Sequence, residues 1–62
     1  MYEVLSGTYD EFNGKLEVSV KYAAEFADFP SALEAYDSQG TRAWAALYMG
    51  DRVILGSSPL EN

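Results

Sequence analysis

Sixty-two residues with no Cys and no His form one small domain that has neither a disulfide nor a zinc site to hold it together. A chain of this size buries only about 60% of the surface its unfolded form exposes, so its stability rests on dense packing of nine aromatic residues or on oligomerisation. Ten acidic against four basic residues give a net charge of −6, which speaks against direct binding to nucleic acid or to an anionic membrane.

The first residues, Met1-Tyr2-Glu3-Val4, lack the basic and apolar regions of a signal peptide. No apolar run approaches the length of a membrane span. Together with the absence of Cys, this points to a cytoplasmic protein.

Residues 2–9 hold Val4, Leu5, Thr8 and two Tyr, a strand composition. Asn13-Gly14 is a strong two-residue hairpin signal, because both residues tolerate positive φ. Residues 15–25 then alternate cleanly. Leu16, Val18, Val20, Tyr22 and Ala24 fall on one face, and Glu17, Ser19, Lys21, Ala23 and Glu25 on the other. A two-residue turn pairs Tyr9 with Val18 and Leu5 with Tyr22, which sends Tyr2 and Val4 outward. A three-residue loop with a bulge swaps those sets. The sequence leaves both registers open.

Residues 28–40, DFPSALEAYDSQG, predict the one helix. Asp28 suits the N-cap, Pro30 suits the first turn, and Gly40 suits a left-handed stop. Ser31 and Glu34 have the spacing of a capping box, but a start there leaves barely two turns. Phe29, Ala32, Leu33 and Tyr36 make one apolar stripe at helical spacing.

Residues 41–49 are Ala-rich, yet Gly50-Asp51 followed by Arg52-Val53-Ile54-Leu55 reads as a second hairpin. It pairs Met49 with Arg52, Tyr48 with Val53 and Leu47 with Ile54. One face then carries Ala43, Ala45, Leu47, Met49 and Ile54. The other carries Trp44, Ala46, Tyr48, Val53 and Leu55. The expected architecture is an α+β, two-layer ββαββ fold: one domain over residues 1–56, with an antiparallel sheet under one helix. Residues 57–62 are expected to form a frayed polar tail.

Four helix residues cannot cover a sheet that is apolar on both sides. The surplus is a candidate interface. Trp44, Tyr48, Val53 and Leu55, with Arg42 on the same strand face, are the expected partner-binding residues, since Trp, Tyr and Arg dominate binding hot spots. If Leu47 and Ile54 lie under the helix, Trp44 and Tyr48 face outward; if the reverse holds, Leu47, Met49 and Ile54 do, and either way an apolar patch remains.

Catalysis finds little to work with. Ser and Thr have no His beside them, and no triad can form. Asp10 and Glu11 are adjacent on a strand and point to opposite faces, so they do not converge on a metal. The five glycines show no phosphate-binding spacing. The expectation is a protein that is not an enzyme and takes no cofactor and no metal.

In size, acidity, lack of Cys and aromatic content, the chain resembles short phage-encoded proteins that bind and block a host factor. That resemblance implies an inhibitor acting by occupancy in a host cytoplasm, against a nucleic-acid enzyme or a defence factor. The expected partner is a protein with a basic surface. A homodimer is also expected, because it would cover the spare apolar face and the sheet edges. The alternative is a nucleic-acid mimic, in which Glu3, Asp10, Glu11, Glu17, Glu25, Asp28, Glu34 and Asp37 imitate phosphate charge in a basic cleft.

Overall fold

A computed structural model describes residues 1–60. Its elements run β1 (Tyr2–Phe12), β2 (Lys15–Phe26), α1 (Phe29–Asp37), β3 (Trp44–Met49) and β4 (Arg52–Ser57). The four strands form one antiparallel sheet in the order β2-β1-β3-β4, with α1 across one face. This is the small α+β fold expected from the pattern. Of the tail expected at 57–62, Ser57 ends β4 and Ser58 and Pro59 are half-buried, while residues 61 and 62 lie outside the described residues.

Both hairpin turns form where the sequence places them. Asn13 (φ 52°) and Gly14 (φ 77°) are both left-handed, and Phe12 pairs with Lys15 across a two-residue turn. Gly50 (φ 67°) begins the second turn, and Met49 pairs with Arg52.

Neither hairpin keeps its register. In the first, Tyr9 pairs with Val18 and Gly7 with Val20, but Ser6 then pairs with Tyr22. Lys21 is the extra residue of a β-bulge. Leu5 therefore faces Ala23, and not the expected Tyr22. The alternating row of β2 is split. Tyr22, Ala24 and Phe26 share the helix side with Val4 and Tyr2, while Leu16, Val18 and Val20 face away. In the second hairpin Tyr48 pairs with Val53 and Leu47 with Leu55, so Ile54 is the extra residue. That bulge carries Leu55 to the helix side, away from the expected company of Trp44 and Tyr48.

The core sits between α1 and the centre of the sheet. Val4, Ala32 and Leu47 are fully buried, and Tyr2, Tyr22, Phe26, Ala35, Tyr36 and Leu55 pack against them. Phe29 is 37% exposed and sets its ring edge-on to Tyr2 at 5.6 Å. The working stripe of the helix is thus Ala32, Ala35 and Tyr36. Asp28 caps α1 as expected, accepting from the Ser31 amide at 2.9 Å. The C-terminus differs from expectation. Gly40 is not left-handed, and the chain leaves the helix through tightened turns, with the Gln39 amide on Tyr36 O (3.0 Å) and the Gly40 amide on Asp37 O (3.3 Å).

One polar bond ties the end of the helix into the sheet. Ser6 and Gln39 are both buried, and Ser6 Oγ donates to Gln39 Oε1 at 2.7 Å. Gln39 Nε2 in turn donates to Ala35 O and Ser38 Oγ. All the hydrogen-bonding groups of this pair find partners, so the sheet can carry a serine at its buried centre.

Two substitutions test this packing. A Cβ on Gly7 would run into the Ser19 carbonyl and press on the Trp44 ring at 3.1 Å. Gly7→Ala is expected to lose at least about 2 kcal/mol in urea unfolding. Gln39→Ala leaves the Ser6 hydroxyl without its partner and is expected to lose about 1–3 kcal/mol, much of which Gln39→Leu combined with Ser6→Ala recovers.

Candidate functional site

β1 pairs with β3 only from Tyr2 to Gly7. Beyond that point residues 8–12 and 15–19 pair only with each other, as a two-stranded arm that extends past the rest of the sheet, with Val20 at its root opposite Gly7. Length alone requires such an overhang. The twelve residues of β2 span about 40 Å, whereas the nine of α1 span about 14 Å.

The two faces of the arm differ in kind. On the helix side Thr8, Asp10 and Phe12 lie opposite Ser19, Glu17 and Lys15. Asp10 is the hub there. It accepts from Ser19 Oγ and from Thr8 Oγ1 (3.3 Å), and Lys21 Nζ stands 3.9 Å away. The Ser19 hydrogen bond, helped by Lys21 and Thr8, lowers the Asp10 carboxyl below the ordinary aspartate value.

The opposite face is apolar and bare. Tyr9 lies across from Val18, Glu11 from Leu16, and Gly7 from Val20. Leu16 is 70% exposed, Val20 46%, Tyr9 43% and Val18 36%. Four large apolar side chains in one cross-strand cluster, with a single charged neighbour, make a contiguous patch of the kind that marks a contact surface.

The residues expected to bind a partner are placed differently. Trp44 and Tyr48 do lie on the face away from the helix, as Leu47 under α1 requires, but they are only 4% and 8% exposed. The Trp44 ring lies over Gly7, whose missing side chain leaves it room. Its Nε1 is buried with no hydrogen-bond partner among the described residues. Val53 is half-buried beside Tyr48, Leu55 packs into the core on the other face, and Arg42 is exposed in the α1–β3 connection. Trp44, Tyr48 and Val53 are thus brought together as packed structure. Leu55 and Arg42 are not part of that group.

Unbroken alternation puts Leu16, Val18 and Val20 on the face of Tyr22 and Ala24, and the bulge at Lys21 instead turns them, with Tyr9, away from it. The mismatch in length between strand and helix is the signal that finds them.

Surface depressions among the described residues lie elsewhere. One of about 690 Å³ runs along Asp51, Arg52, Val53, Ser57 and Ser58. Another, about 300 Å³, lies between α1 and β2 and is lined by Tyr22, Phe26, Ser31, Glu34, Ala35 and Ser38. Among the described residues no group of three or more acidic side chains is arranged to hold a metal ion, and no helix is long and apolar enough to cross a membrane. The chain matches no family model, and no curated protein or solved structure is significantly similar to it.

Trp44→Ala and Tyr48→Ala are expected to act on stability, since truncating a buried aromatic costs about 3–5 kcal/mol. Denaturation of these variants should show the loss before any binding assay does. Trp44→Phe should lose far less, because it keeps most of the ring and removes an unpartnered donor.

Acid acts on the polar side of the arm. The Asp10 pKa is lower in the folded chain than in the unfolded one. Its contribution is therefore present above the unfolded value and fades as pH falls through the folded one. The same sign holds for Asp28, which is lowered mainly by the Ser31 amide. Protection of the amides in residues 8–20, measured against their intrinsic exchange at each pH, is expected to fall selectively in acid, and Asp10→Asn should flatten that dependence.

Proposed function

We propose that this chain is a protein-binding module that acts by occupancy, without chemistry, and that its contact surface is the apolar face of the β1–β2 arm. One observation carries the proposal. Leu16, Val18, Val20 and Tyr9 form one exposed cluster on a ribbon whose other face is polar but for Phe12 at its tip. A two-stranded ribbon is marginal in water by itself, and covering its apolar face would stabilise it. Most acids lie in the rest of the chain, so a contact through this face is driven by apolar burial more than by charge.

A nucleic-acid mimic is the second reading, favoured by the separation of charge along the chain. Residues 8–21 hold three acids and two lysines, while the rest of the chain holds seven acids and two arginines.

The two are separated by capturing partners from a lysate of the source cell with the wild type and with Val18→Glu. Docking through the arm predicts capture that survives high salt and drops at least tenfold in Val18→Glu. Capture that salt abolishes and Val18→Glu leaves intact would instead support the charge mimic and sink the arm.

A further inference from the structure

We infer that the occupant of the arm's apolar face is a second copy of this chain. The inference rests on the arm being a docking surface and names what docks there.

Charge is the first argument. The chain carries −6, but the arm and its bulge, residues 8–21, carry only −1, and both lysines of the protein lie in that segment. On the apolar face itself Glu11 is the one charged residue in the ladder from Gly7 to Glu11 and Leu16 to Val20. A surface shaped for a basic partner would be ringed with acids. This one is the least acidic part of the molecule, which is where two like-charged copies can approach with least repulsion.

Symmetry is the second. Residues two apart on a strand stand about 6.7 Å from each other on the same face. The row Leu16, Val18, Val20 is therefore centred on Val18, with Tyr9 directly across from it. A two-fold axis through Val18 places the Leu16 of each copy over the Val20 of the other and sets the two Tyr9–Val18 pairs side by side. That is the self-complementary arrangement an isologous dimer needs. The arms then stack face to face as two layers about 10 Å apart, each covering what the other leaves bare. The acidic bodies, with α1, point away from each other.

Area sets the strength. From their fractional exposures the four side chains leave on the order of 300 Å² bare per copy, so the pair buries on the order of 600 Å² from these rows, the scale of weak interfaces. The association is therefore expected to be weak.

Sedimentation equilibrium of the full chain tests this, from low micromolar to about 500 μM protein, in about 0.05 M and about 0.5 M salt. The expected result is a mass rising toward twice the monomer, with association several-fold stronger at high salt, because screening removes the repulsion between bodies. Val18→Glu is expected to stay monomeric with an unchanged unfolding midpoint. Leu16→Glu, at the most exposed position of the row, serves the same purpose should Val18→Glu fold poorly.

A wild-type monomer at the top concentration in high salt overturns the inference. So does a dimer that both variants leave intact, or one that salt dissociates. If the wild type is monomeric but Val18→Glu still loses a captured partner, the arm remains the docking surface and only the second copy falls. If the wild type is monomeric and capture does not depend on Val18, both fall.

Discussion

The structure depends on one extra residue. Lys21 bulges from β2 between the Ser6–Tyr22 and Gly7–Val20 pairs, and the side-chain alternation of that strand reverses there. C-terminal to the bulge, Tyr22, Ala24 and Phe26 turn toward α1. N-terminal to it, Leu16, Val18 and Val20 turn away from it. Gly7 makes the bulge possible, because any side chain at that position would strike the Ser19 carbonyl and the Trp44 ring. Without the bulge one continuous apolar row would run along the helix side of β2, and the far half of that row would overhang a helix too short to reach it.

The bulge therefore divides the sheet into two halves of different structure. The half under α1 is a small core of Val4, Ala32 and Leu47, closed by the Ser6–Gln39 hydrogen bond and by aromatic rings at its margin. The half beyond Gly7 is a ribbon with an Asp10-centred polar clip on one side and a bare apolar cluster on the other. A 62-residue chain has little apolar surface to spare, so leaving four large side chains in water is a considerable loss of folding stability. Contact with another polypeptide, the role proposed for this face, would return it. Opposite charges meet on the polar side of the ribbon, where Lys21 faces Asp10, and Glu11 is the one charge left on the apolar side.

Much of the fold was legible because its signals are local. Asn13-Gly14 and Gly50-Asp51 define turns by backbone freedom, and Asp28 with Pro30 defines a helix start by capping chemistry. The strict alternation of residues 15–25 defines a strand. The idea of surplus apolar surface was also sound, since four strands outrun one short helix. Its location was not legible. Trp44 and Tyr48 have the composition of hot-spot residues, but on this sheet they are packed, with Trp44 over Gly7. Leu55 was set on the wrong face by one residue of register. Hot-spot composition and core composition are the same list of residue types, so composition cannot separate them.

The sequence by itself determined the number and order of elements, their turns, the helix cap and the excess of apolar over coverable surface. Each follows from neighbouring residues or from simple counting. Only the tertiary structure decided which side of the sheet α1 covers, where the strands slip register, and so which apolar residues stay in water. Those outcomes depend on the meeting of Gly7, Ser19 and Trp44, which are far apart in the chain, and on the reach of a nine-residue helix over a twelve-residue strand. A period-two pattern says that a strand has two faces. It takes the packed neighbour to say which face is inside, and a bulge can change the answer halfway along.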